Sequence, residues 1–117
     1  MARIIYVEDE PDTAEAVKQI LEMAGHEVDT AATGSEGLAK LRSRKYELAL
    51  LDIMLPDMSG WEIFNQIKGK KVLVAFLSAL PISGDRLAEL TKSGLKDYIK
   101  KPFSQRDLTE RVNHILR

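Results

Sequence analysis

A chain of 117 residues fits one domain of ordinary size, long enough to bury a real core without staples. Hydrophobic residues at 44% and charged residues at 30% place it among soluble globular proteins rather than disordered or membrane-embedded ones, and the lack of cysteine excludes disulfides, thiolate metal sites and thiol redox chemistry. Lysine and arginine total 17 against 18 acidic residues, and no apolar run is long enough for a membrane helix. A cytoplasmic protein is therefore expected, without direct nucleic-acid or membrane binding.

Short apolar runs alternate along the whole chain with longer stretches of helical periodicity, the signature of a βαβα protein. The first run, Ile4-Ile5-Tyr6-Val7, ends in Glu8-Asp9-Glu10-Pro11-Asp12. Val17, Ile20, Leu21 and Ala24 then share one helical face, with Pro11 and Asp12 suited to its start and Gly25 to its end. From Glu27 to Ala31 polar and apolar residues alternate, which predicts an edge strand with one wet side. Thr33-Gly34-Ser35 offers a cap to a helix carrying Leu38 and Leu41.

Leu48-Ala49-Leu50-Leu51 has no face to give to water and predicts a strand buried on both sides, ending on Asp52. Beyond a loop containing Pro56 and Gly60, the residues Ile63, Phe64 and Ile67 predict a third helix, with the Lys68 to Lys71 run as a solvated exit. Val72 to Leu77 is the longest apolar run, rich in β-branched and aromatic residues, and stops on Ser78. A helix of about two turns through Leu87 and Leu90 should close at Gly94. A short strand around Tyr98-Ile99 reaches Lys101-Pro102, and Leu108, Val112, Ile115 and Leu116 mark a last helix. Trp61, Phe64 and Phe76 read as packing residues, and His26 and His114 as exposed and chemically silent.

Five strands each followed by a helix predict a doubly wound α/β sandwich of the flavodoxin-like kind, a single domain over residues 1–117. An order of 2-1-3-4-5 leaves the half-polar second strand on an edge. In such a sheet every strand ends at one rim. Glu8, Asp9 and Glu10, Asp52, Ser78 and Lys101 then converge from about ninety positions of sequence. Carboxylates held that close need a raised pKa or a cation, and oxygen ligands without cysteine or a nearby histidine favour Mg²⁺. With an ammonium and a hydroxyl beside them, such groups can bind a phosphoryl group, Asp52 serving as the nucleophile that forms an acyl phosphate.

These pieces resemble the receiver domain of response regulators in two-component signalling, over essentially the whole chain. The likeness lies in Tyr6-Val7-Glu8-Asp9-Glu10-Pro11, in Leu51 to Gly60, in Leu77-Ser78-Ala79 and in Asp97 to Phe103. It implies that Asp52 accepts phosphate from a histidine kinase and that Glu8 and Asp9 form the acidic pair of the metal site. By the same resemblance Asp9, Asp52 and the backbone carbonyl of Met54 hold Mg²⁺, Ser78 and Lys101 contact phosphoryl oxygens, and the peptide before Pro102 is often cis. Tyr98 falls on a switch position whose ring turns inward as Ser78 moves toward the phosphate. The resemblance implies a chain that catalyses only its own phosphorylation and dephosphorylation. It informs a downstream protein or output domain through the face of the fourth and fifth strands and helices, and is compatible with a phosphorylation-dependent dimer.

Two rivals share parts of this pattern. An aspartyl-phosphate phosphatase of the haloacid-dehalogenase type needs a carboxylate two residues after the nucleophile, where this chain has Met54. A flavodoxin-like interaction module without phosphorylation would not need the acidic rim, and no Gly-rich phosphate loop is present. Three departures from the common receiver pattern stand out: Ser rather than Thr at 78, a short Leu80 to Gly94 segment, and apolar Met54 and Leu80 beside the site, which predict slow self-dephosphorylation.

Overall fold

A computed structural model describes residues 2–117. The strands are β1 (Arg3–Val7), β2 (Glu27–Ala31), β3 (Leu48–Leu51), β4 (Leu73–Ser78) and β5 (Asp97–Lys100), all parallel in the order β2-β1-β3-β4-β5. The helices are α1 (Pro11–Met23), α2 (Gly34–Ser43), α3 (Gly60–Ile67), α4 (Gly84–Lys92) and α5 (Gln105–Leu116). The expected doubly wound sandwich is present, and the half-polar β2 lies on an edge.

Alternation along the strands divides the core in two. Ile4, Tyr6, Leu48, Leu50, Ala75, Leu77 and Ile99 pack with Val17 and Leu21 of α1 and Leu108 and Val112 of α5. Ile5, Val7, Ala49, Leu51 and Phe76 pack on the other side with Leu38 of α2, Ile63, Phe64 and Ile67 of α3, and Leu90 of α4. All four residues of β3 are fully buried, so its unbroken apolar run is what a strand covered on both faces requires. Each such Leu contributes about 1.5–3 kcal/mol of burial free energy.

Every helix start is satisfied by a side chain. Glu10, Thr33, Ser59, Ser83 and Ser104 accept from backbone N–H groups of the first turns. Gly25 and Gly94 end α1 and α4 with φ of 95° and 109°, a backbone that side-chain-bearing residues resist. The helix α4 has nine residues and only Leu90 buried, in keeping with its short sequence segment.

His26 departs from expectation. It is half-buried, its Nδ1 accepting from the Ala2 N–H at 3.1 Å and its Nε2 lying 2.9 Å from Asn113 Oδ1. Those two bonds tie the start of the sheet to the end of α5, a long-range link that local sequence pattern does not encode. His114 is exposed as expected.

Candidate functional site

The parallel ladder delivers the site residues one step beyond each strand. Glu8 donates its N–H to Ala31 O, Asp52 to Val7 O and Lys101 to Ser78 O, at 2.9, 3.0 and 2.9 Å. Register therefore brings the ends of β1, β3, β4 and β5 to one rim. Side-chain oxygens of Glu8, Asp9 and Asp52 lie within 4.8 Å of one another, and Lys101 Nζ is 3.4 Å from Asp52 Oδ2.

Glu8 and Asp52 differ in their surroundings. Glu8 is buried, yet it accepts from Lys101 Nζ and the Tyr6 hydroxyl on one oxygen and from Glu10 N–H on the other. Burial pushes its carboxyl up, and those donors outweigh burial and hold it below the usual value. Asp52 is also buried, but its one backbone donor, Met54 N–H at 3.4 Å, is weak. Burial and then the Glu8 charge push its carboxyl up, partly offset by Lys101. Asp9 stands exposed at the mouth. A pair of close carboxylates with a third at the entrance suits a hard divalent cation with room for water ligands, so the donor set fits Mg²⁺.

The loop after Asp52 is anchored at both ends. A Cβ at Gly60 would run into the Asp52 carbonyl oxygen, so this position has room only for glycine. Asp57 accepts from Gly34 N–H, Ser35 N–H and Ser35 Oγ at 2.7–2.9 Å, and those bonds pull its carboxyl down to about 2. A carboxylate at a helix N-terminus is favourably placed. No local sequence pattern points to this long-range contact.

Ser78 is buried at the end of β4, its Oγ accepting from Leu80 N–H at 3.3 Å. Met54 is 65% exposed beside Asp52, and Leu80 is half-buried. The Lys101–Pro102 peptide is cis. Tyr98 is already turned inward: the side chain is buried, its hydroxyl donating to Leu80 O at 2.5 Å and its ring edge-to-face with Phe76, which in turn meets Trp61 and Phe64. Trp61, Phe64 and Phe76 are thus packing residues, as expected.

Residues 4–113 match the response regulator receiver domain family. The chain belongs to that family. As a receiver domain of a two-component response regulator, it is 36% identical over 97% of its length to the probable transcriptional regulatory protein TcrX of Mycobacterium tuberculosis. It is 35% identical over 99% to the response regulator SaeR of Staphylococcus aureus. This receiver chain spans about half the length of those curated relatives, 49% and 51%. Among solved structures, a CheY-like receiver domain protein from Methanospirillum hungatei superposes with a TM-score of 0.89 at 36% identity, covering 99% of this chain and 94% of that one. The response regulator TrrA of Thermotoga maritima, solved in complex with Mg²⁺ and BeF, superposes at 0.84 with 36% identity, covering 99% and 100%.

Proposed function

We propose that this receiver takes a phosphoryl group from a histidine kinase onto Asp52 with the help of Mg²⁺, and that the modified Asp52 changes a protein-interaction surface. The observation that carries the reading is the rim itself: the Asp52 carboxylate is clustered with those of Glu8 and Asp9, and the Lys101 ammonium bonds both Glu8 and Asp52. An Asp52 carboxylate oxygen attacks phosphorus, the P–O bond forms as the P–N bond to the donor histidine breaks, and the leaving imidazole nitrogen takes up a proton. Glu8, Asp9, Asp52 and the Met54 carbonyl are the groups assigned to Mg²⁺, which when bound would supply neutralising charge to the transferring oxygens. Lys101 and the Ser78 hydroxyl are assigned to the phosphoryl oxygens.

The modified state is read through β4, α4, β5 and α5. The α4 segment buries one residue, so small contacts at Ser78 are sufficient to shift its population. Tyr98, whose hydroxyl bonds Leu80 O, is assigned the switch role beside Ser78. A protein partner or an output domain then meets this face, and a phosphorylation-dependent dimer is one form of that contact. The fold unit is a single receiver domain over residues 1–117.

The test offers a small phosphodonor with Mg²⁺ and reads intact mass. One added phosphoryl group is expected on the parent chain and none on Asp52→Asn or without Mg²⁺. Its absence from the parent, or its persistence in Asp52→Asn, overturns the assignment.

A further inference from the structure

Tyr6 is a fully buried aromatic on β1 that places a hydroxyl at the acidic rim. Residues 6 and 8 lie on the same side of an extended chain, so the Tyr6 ring packs among Ile4, Val17, Leu50 and Leu77 while its hydroxyl reaches Glu8. It donates to Glu8 Oε1 at 2.8 Å, the same oxygen that accepts from Lys101 Nζ. A phenol hydroxyl facing a carboxylate oxygen donates to it. Packing alone does not call for that hydroxyl, since phenylalanine fills the same space.

The doubled donation has a consequence for Lys101. The ammonium is shared between Glu8 and Asp52, and a phosphoryl group on Asp52 draws it toward the new oxygens. Its departure would take one hydrogen-bond donor from a carboxylate with almost no access to water. We propose that Tyr6 is a positioning residue whose hydroxyl keeps Glu8 hydrogen-bonded when Lys101 leaves it for the phosphoryl group. Tyr6 and the Glu10 N–H then hold the carboxylate in place, and Lys101 is released at lower cost. This inference rests on the reading of Asp52 as the phosphorylated residue.

The test compares Tyr6→Phe with the parent. Affinity for Mg²⁺ alone should change by less than about twofold, because Lys101 still pairs with Glu8. Affinity for beryllofluoride in the presence of Mg²⁺ should fall about tenfold, in line with one hydrogen bond to a charged group. A second arm needs no phosphoryl chemistry: in a Lys101→Met background the lysine has already gone, so Tyr6→Phe should lower the unfolding midpoint more than it does in the parent. A purely structural tyrosine would cost the same in both backgrounds, and that result overturns the inference, as does unchanged or equally weakened binding of both probes. Beryllofluoride failing to bind the parent sinks the reading of Asp52, and the Lys101→Met arm still decides the role of Tyr6.

Discussion

Lys101, the first residue past β5, bonds the carboxylate of Glu8, the first residue past β1, across 93 positions of sequence. Neither is free at the rim: Glu8 is buried and the Lys101 side chain is 20% exposed. The pair holds the two outer lips of the site together over Asp52. Removing one partner strands the other, so Lys101→Ala is expected to lower stability by about 3 kcal/mol, at the low end for a broken buried pair. Urea unfolding in chelator at neutral pH measures it. A loss under about 0.5 kcal/mol, the size of an exposed pair, would show that the Glu8 contact is not held in solution.

Asp52 works against the fold. Burial and the nearby Glu8 charge raise its carboxyl above the 3.8 of a free aspartate. As pH rises from 3.8 to the higher folded value, the unfolded chain has released a proton that the folded chain still holds, and stability falls across that window. Asp52→Asn has no charge to desolvate. In chelator it is expected to be the more stable chain at neutral pH, with an advantage that shrinks toward zero as pH falls below the ordinary aspartate value. Glu8 runs the other way, its lowered carboxyl adding stability that is lost on acidification. Unfolding midpoints of both chains across pH give the difference curve, and a gap that widens on acidification contradicts this account.

A cation that relieves the same repulsion should stabilise the chain. At ten times its dissociation constant, Mg²⁺ is expected to add about 1.4 kcal/mol to the parent by mass action. Asp9→Asn or Asp52→Asn should reduce the gain, since each removes one of the three clustered carboxylates. Equal gains in all three chains would place the ion elsewhere.

The fold is legible where a physical requirement acts locally. Leu48 to Leu51 has no polar position because both faces of β3 are covered, and Gly25 and Gly94 mark helix ends because their backbones have positive φ. The rim is legible for a topological reason: once the strands are parallel, Glu8, Asp9, Asp52, Ser78 and Lys101 must share an edge. What escapes is side-chain reach between elements. Nothing around Tyr6 signals that its hydroxyl finds Glu8, nothing near Asp57 points to the α2 start, and His26 looks idle until Ala2 and Asn113 are brought beside it. Tyr98 is intermediate, since its place in β5 is legible but its inward rotamer is a matter of packing against Phe76.

Met54, two residues past Asp52, and Leu80, two residues past Ser78, are both apolar and offer no polar group to an attacking water. Met54 lies exposed beside the carboxylate and Leu80 half-buried beyond Ser78, and neither can accept a proton from a water attacking the acyl phosphate. Phosphorylated parent should therefore decay slowly. Met54→Asn combined with Leu80→Glu is expected to shorten the half-life on the order of tenfold, less than the 10²–10⁴ of a well-placed base because these side chains are mobile. Loss of the phosphoryl mass over time reads it directly. A longer half-life in the double variant would sink the idea.

The bond from the Tyr98 hydroxyl to Leu80 O spans from β5 to the segment that leads into α4. Tyr98→Phe keeps the ring against Phe76 and removes only that bond, leaving a carbonyl in a half-buried loop without its donor. A cost of about 1 kcal/mol follows, the usual net worth of one neutral hydrogen bond. The local effect should exceed the global one, because α4 buries only Leu90 and has little else to hold it. Amide exchange over residues 79–92 is expected to quicken in Tyr98→Phe while β1 and β3 stay protected. Uniform acceleration across the sheet would mean that Tyr98 supports the core as a whole and is no latch on the signalling face.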